Sequence, residues 1–197
     1  MNRKNSRRSI NRMRTLGEVF TAEREVKAML DLVEEKGSKK ISDRDSRVFE
    51  PACGNGNFLE EILRRKTQNV LTSKGKGSQT LYEYNTLCAL SSIYGIDIDP
   101  VNIQQAHARM FAVMLSAYSS TANTERPHEG YLDAVRYVLN TNIVVGDTVN
   151  AADKIVLIKY VPVDETKSFV REIKTLNDAL YEDEDFSRAT FPPVYYL

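Results

Sequence analysis

Three carboxylates and a pair of glycines are the residues whose spacing could do chemistry in this chain. "VFEPACGNGNF" (Val48 to Phe58) sets Glu50, Ala52, Cys53, Gly54 and Gly56 at the end of an apolar run; "IYGIDIDP" ends a second such run on Asp97; "NIVVGDTV" ends a third near Asp147. Glycines let a ligand lie against bare backbone. Carboxylates accept hydrogen bonds from ammonium groups, sugar hydroxyls and exocyclic amines, and they repel phosphates. "GNGNFL" lacks the third glycine of a dinucleotide fingerprint and the lysine and hydroxyl of a phosphate loop, which disfavours a diphosphate ligand.

The ligand these groups imply is a nucleoside carrying an amino acid, a description that S-adenosylmethionine answers. Asp97 and Asp99 compete for the sugar. Asp99 precedes Pro100 and reads as a helix cap, which leaves Asp97 as the contact. Cys53 has no base beside it in sequence and reads as a small packing residue. The pairs Cys53 and Cys88, His107 and His128 lack metal-ligand spacing, so no metal site is expected.

The elements that must position these residues follow from periodicity. Thr21 reads as the N-cap of a helix whose buried face is Val26, Met29, Leu30 and Val33. Arg47 to Cys53 reads as a buried strand, followed by a glycine turn and a helix with Phe58, Leu59, Ile62 and Leu63 on one face. "TQNVLTSKGKGSQ" reads as a polar, mobile insertion before a helix near Leu81 to Leu90. "SSIYGID" is a second strand, Pro100 opens a helix with Ile103, Ala106, Met110 and Met114 inward, Leu132, Val135, Val138 and Leu139 mark another helix, and "NIVVGDTV" is a third strand. Strands alternating with helices predict a parallel sheet with right-handed crossovers. Past Asn150, "DKIVLIKYVPV" reads as a strand or hairpin arm and "SFVREIKTLNDALYEDED" as a short helix.

Four blocks in series, "GEVFTAEREVKAML", "VFEPACGNGNFL", "IYGIDIDP" and "IVVGDTV", resemble the cofactor-binding half of the adenine-N6 DNA methyltransferases of restriction-modification systems, over roughly Gly17 to Val149. The resemblance implies a Rossmann-like α/β methyltransferase fold, S-adenosylmethionine as cofactor and double-stranded DNA as substrate. It further implies that Thr21 and the turn before it close over the methionine end, and that Glu50, Ala52, Cys53, Gly54 and Gly56 form the floor beneath. Asp97 would take the ribose hydroxyls, Ile98 would pack on the adenine face, and Asp147 would accept from the adenine amine. Ala22 stands where proline is frequent, a minor departure because proline there is a helix-start preference.

A second departure is larger. In that family a fourth strand ends in Asn/Asp-Pro-Pro-Tyr/Phe, whose polar groups accept hydrogen bonds from the target amine while the ring stacks on the flipped base. The only candidate here is "TFPPVYYL", with Phe191 in the polar position and Val194 in the aromatic one. Phenylalanine accepts no such bond, so no catalytic residue is assigned. The expected α/β fold is therefore incomplete on its C-terminal side, and the first strand would be left with an open edge. The segment "DKIVLIKYVPV", a second polypeptide supplying the catalytic and target-recognition parts, or another copy of the chain would have to cover it. Other readings of the same blocks are a non-catalytic binding or subunit-interface module, a methyltransferase acting on another substrate, and, less well fitted, a nicotinamide-dependent oxidoreductase.

Bulk properties bound these readings. The 197 residues suit one α/β domain, and 27 basic residues balance 27 acidic ones, so net charge argues for no nucleic-acid partner. The charges are segregated: Arg3, Lys4, Arg7, Arg8, Arg12 and Arg14 make the head cationic, whereas Asp164 to Asp185 holds eight acids against three bases. The expected organisation is a flexible basic arm over 1–15, a cofactor-binding domain over 16–163 and an acidic, weakly structured tail over 164–197. No apolar run reaches membrane-spanning length and no signal peptide is evident, which predicts a cytoplasmic protein without a membrane partner.

Overall fold

The structure is a computed structural model that describes residues 21–37, 40–74, 78–119, 126–181 and 190–194. From Val48 to Val145 each strand is separated from the next by a pair of α-helices. Strands β1 (Val48–Glu50), β2 (Ile93–Asp97) and β3 (Ile143–Val145) form a parallel sheet in the order β1-β2-β3. Val48 pairs with Ile93, Glu50 with Gly95, Gly95 with Ile143 and Asp97 with Val145. All three strands therefore end on the same edge, where their loops meet. This is a mixed α/β architecture compatible with a Rossmann-like fold.

Among the described residues, helix α1 (Glu23–Lys36) packs on α2 (Asn57–Asn69), and α2, α3 (Gln79–Ser91), α4 (Pro100–Ser119) and α5 (Glu129–Asn142) pack on that sheet. Leu59, Ile62 and Leu63 bury one face of α2, and Ile103, Ala106, Met110 and Met114 one face of α4, the 3.6-residue stripes that the sequence shows. Helix α3 is buried nearly all round, with Tyr82, Tyr84, Leu87, Cys88 and Leu90 at or below 1% exposure. It is a core helix, which explains its lack of a polar face. The side chains of β2 alternate: Ile93 joins the large core under the helices, while Tyr94 and Ile96 face a smaller cluster of Ile155, Leu157 and Leu176, as a two-residue period requires.

Ile155, Leu157 and Leu176 lie in or next to the strands of an antiparallel sheet, β4 (Val156–Val163), β5 (Ser168–Thr175) and β6 (Thr190–Val194), with α6 (Leu176–Tyr181) between β5 and β6. The hairpin is fastened by polar and aromatic contacts. Tyr94 donates to the Ile158 carbonyl at 3.3 Å, Thr141 Oγ1 and the Tyr160 hydroxyl lie 2.8 Å apart, and the Tyr84 and Phe169 rings are 5.5 Å apart. Tyr84 and Arg44 both donate to Asp164 at the hairpin turn, at 3.0 Å each.

Several expectations are corrected here. Order runs past residue 163: the tail begins as a hairpin arm, and "SFVREIKT" is strand, the helix starting only at Leu176. "DKIVLIKYVPV" pairs with β5 in the separate antiparallel sheet, so it does not cover the edge of β1, which pairs only with β2 among the described residues. Helix α1 starts from Ala22, not Thr21, because Glu25 reaches back to accept the Ala22 N–H at 3.2 Å, half of a capping box. Its inner face is Val26 and Leu30, while Met29 and Val33 are more than half exposed. Thr67 to Asn69 extend α2, and Val70 to Lys74 continue as a π-turn, where a mobile insertion was expected. The arm over 1–15 lies outside the described residues. Among the described residues no helix is long and apolar enough to cross a membrane.

Candidate functional site

The loops after β1, β2 and β3 converge at the carboxyl end of the parallel sheet, the position at which open α/β sheets bind ligands. The loop after β1 makes its turn with Gly54 at φ +55° and Gly56 at φ +85°, left-handed values that disfavour any side chain. Gly56 also has a packing reason to be bare. A Cβ there would stand 2.8 Å from Ala106 Cβ on α4 and 2.9 Å from its Cα. At Gly54 the opposite holds, because an added Cβ would meet nothing within 4 Å. The space over Gly54 is open.

Asp97, the last residue of β2, ties this turn to the sheet. Its Oδ2 accepts the Gly54 N–H at 2.9 Å, and its Oδ1 accepts the Asp99 N–H at 2.9 Å and Asn102 Nδ2 at 3.1 Å. Two lone pairs per carboxylate oxygen leave acceptor capacity on Oδ2 beside the open space. Asp99 does cap α4: its Oδ1 accepts the Val101 N–H at 2.8 Å, with Pro100 at the first helical position.

The other expected residues gather at the same end with different constraints. Cys53 donates its backbone N–H to the Ile96 carbonyl at 2.8 Å, which extends the β1–β2 ladder into the turn. The residue is buried, and its thiol is pushed up to about 12 by burial, then by Asp97 and Glu50, so it stays protonated and is no nucleophile at neutral pH. Glu50 Oε1 accepts the Ala52 N–H at 3.3 Å, and Ala52 itself is exposed. Ile98 is 61% exposed directly after Asp97, and Val145 and Val149 are also exposed. Asp147 Oδ1 accepts the Val149 and Asn150 N–H groups and its Oδ2 accepts Asn150 Nδ2 at 2.9 Å. The Asn150 side chain, then its backbone, holds the Asp147 carboxyl below the usual range. Thr148 donates to the Pro51 carbonyl at 3.3 Å, joining the loop after β3 to the loop after β1.

Thr21 reaches the site through its backbone. Its carbonyl accepts Asn57 Nδ2 at 3.2 Å, and Asn57 is the first residue of α2, beside Gly56. Asn57, Asn102, Arg109 and Asn150 are the polar residues that sequence reading missed. Asn102 and Asn57 carried a faint signal, each lying within one turn of a residue already singled out. Arg109 carried none, since it meets the site across 52 residues.

These groups can bind and orient a polar, cationic or hydroxyl-bearing ligand, with apolar Ile98 beside it. No group of three or more metal-ligating side chains is present among the described residues. Comparison of the chain with protein-family models, curated proteins and solved structures finds no match.

Proposed function

We propose that the chain is the cofactor-binding portion of an S-adenosylmethionine-dependent DNA adenine-N6 methyltransferase, inactive by itself. The observation that carries this reading is the Asp97–Gly54 hydrogen bond at the carboxyl end of a parallel sheet, with open space over the glycine. A second-strand carboxylate beside a bare glycine turn suits a ribose next to a backbone-facing amino acid, and it suits a diphosphate poorly. When bound, the cofactor supplies an electrophilic sulfonium methyl group. The residues of this chain would hold it: Asp97 at the ribose, Ile98 against the adenine face, Asp147 at the exocyclic amine, and the turn from Glu50 to Gly56 under the methionine.

The proposed inactivity rests on the missing Asn-Pro-Pro-Tyr motif. Thr190 to Val194, the one Pro-Pro segment, is strand β6 and pairs with β5 in the antiparallel sheet, away from β1. β1 has a free edge among the described residues, which suits a strand from a second polypeptide carrying the catalytic motif. The same edge favours the second reading, a subunit-interface module that binds a partner without turnover. The two differ in outcome. Purified chain should give no adenine methylation with double-stranded DNA and cofactor; methylation by the chain alone would refute the proposed inactivity. A co-purifying protein that restores methylation would favour the split enzyme, and association without cofactor dependence the interface module.

A further inference from the structure

Asn57 stands where three elements meet. It follows Gly56, whose left-handed backbone turns the chain into α2. Its Oδ1 accepts Arg109 Nη1 from α4 at 3.0 Å, and its Nδ2 donates to the Thr21 carbonyl before α1 at 3.2 Å. A guanidinium can only donate, so Arg109 fixes which end of the amide is the acceptor and thereby aims the NH2 at Thr21. Arg109 is itself steadied by Glu60 Oε2 at 3.0 Å. Beside these groups, a crevice of about 210 Å³ opens between α1, α2 and α4, with Glu23, Val26, Asn57 and Arg109 on its walls. Val26, a buried anchor of α1, forms part of that wall, and Leu30 lies one turn farther along the helix.

We infer that Asn57 is a positioning residue that latches the Thr21 backbone against the Gly54–Gly56 turn and so sets the affinity of the site for the amino-acid end of its ligand. The inference rests on the cofactor reading above. Arg109 orients the amide, Asn57 bridges, and the carbonyl of Thr21 is what is held. The latch acts mainly on the amino-acid side, since Asp97, although bonded to Gly54 of the same turn, is also held by Asp99 and Asn102.

Asn57→Asp tests this directly. Aspartate keeps the acceptor for Arg109 and is favourable in the first turn of a helix, but it turns an oxygen toward the Thr21 carbonyl and breaks the latch. Calorimetry would compare S-adenosylhomocysteine with 5′-methylthioadenosine, which has the nucleoside and sulfur but no amino acid. Asn57→Asp is expected to weaken the first by about tenfold, the scale of one lost hydrogen bond, and to leave the second unchanged, with a fall in melting temperature no larger than that one internal hydrogen bond accounts for. Arg109→Met should give a smaller loss of the same selectivity. Equal loss for both ligands, or no loss for either, overturns the latch while leaving the cofactor reading intact. Wild-type chain that binds neither ligand removes the reading itself, and the latch with it.

Discussion

Gly56 and Lys66 show how single positions in this chain are fixed by physics that a motif alone does not state. Gly56 combines a positive φ with a 2.8 Å approach to Ala106, so Gly56→Ala should destabilise by roughly 2–4 kcal/mol, backbone strain plus overpacking, measurable by urea denaturation. Lys66 is fully buried, its ammonium donating to the Asp43 and Ser46 carbonyls at 2.7 and 2.6 Å. Burial pushes it down from 10.5 to about 8. Between those pH values the unfolded chain binds the proton and the folded chain releases it, so this group's contribution to stability rises with pH. Wild type should gain about 3 kcal/mol on Lys66→Met between pH 8 and 10.5. The comparison with Lys66→Met is needed because Cys53 and Cys88, both pushed up to about 12 by burial, act in the opposite direction above the ordinary thiol range. A pH-independent difference between the two proteins would contradict the account of Lys66.

Elements that announce themselves in sequence are those with strong local grammar. The glycine turn with the helix start after it and the Asp-Pro start of α4 fall where expected, because a left-handed glycine and a capped proline are decided by a few adjacent residues. The strand before the turn is shorter than expected, Val48–Glu50. Caps slipped where a neighbour competed: Glu25 made Ala22 the start of α1, although Thr21 is the better capping residue. The β4–β5 hairpin was the least legible. Leu157 packs against β2, while Ile158 and Tyr160 pack toward the helical core, so β4 is wedged between two apolar surfaces and shows no clean alternation. The hairpin is part of the core, and Phe169 is its plug, 7% exposed between Tyr84 and Tyr160. Phe169→Ala should cost about 3–5 kcal/mol. A thermal melt unchanged by that substitution would mean that the hairpin is not part of the cooperative fold.

For the whole molecule, the central claim is that the carboxyl end of the parallel sheet binds S-adenosylmethionine. The structure sharpens how to test it. Asp97 carries three internal hydrogen bonds, so its removal would also loosen the glycine turn. Ile98 is 61% exposed, and surface substitutions of this kind usually change stability by under about 0.5 kcal/mol. The deciding measurement is calorimetric titration of S-adenosylhomocysteine into the purified 197-residue chain and its Ile98→Asp variant. One-site binding by the wild type, unaffected by excess NAD and weakened at least about tenfold in Ile98→Asp at equal melting temperature, is the expected result. Absence of binding, equal affinity in the two proteins, or displacement by NAD would contradict it.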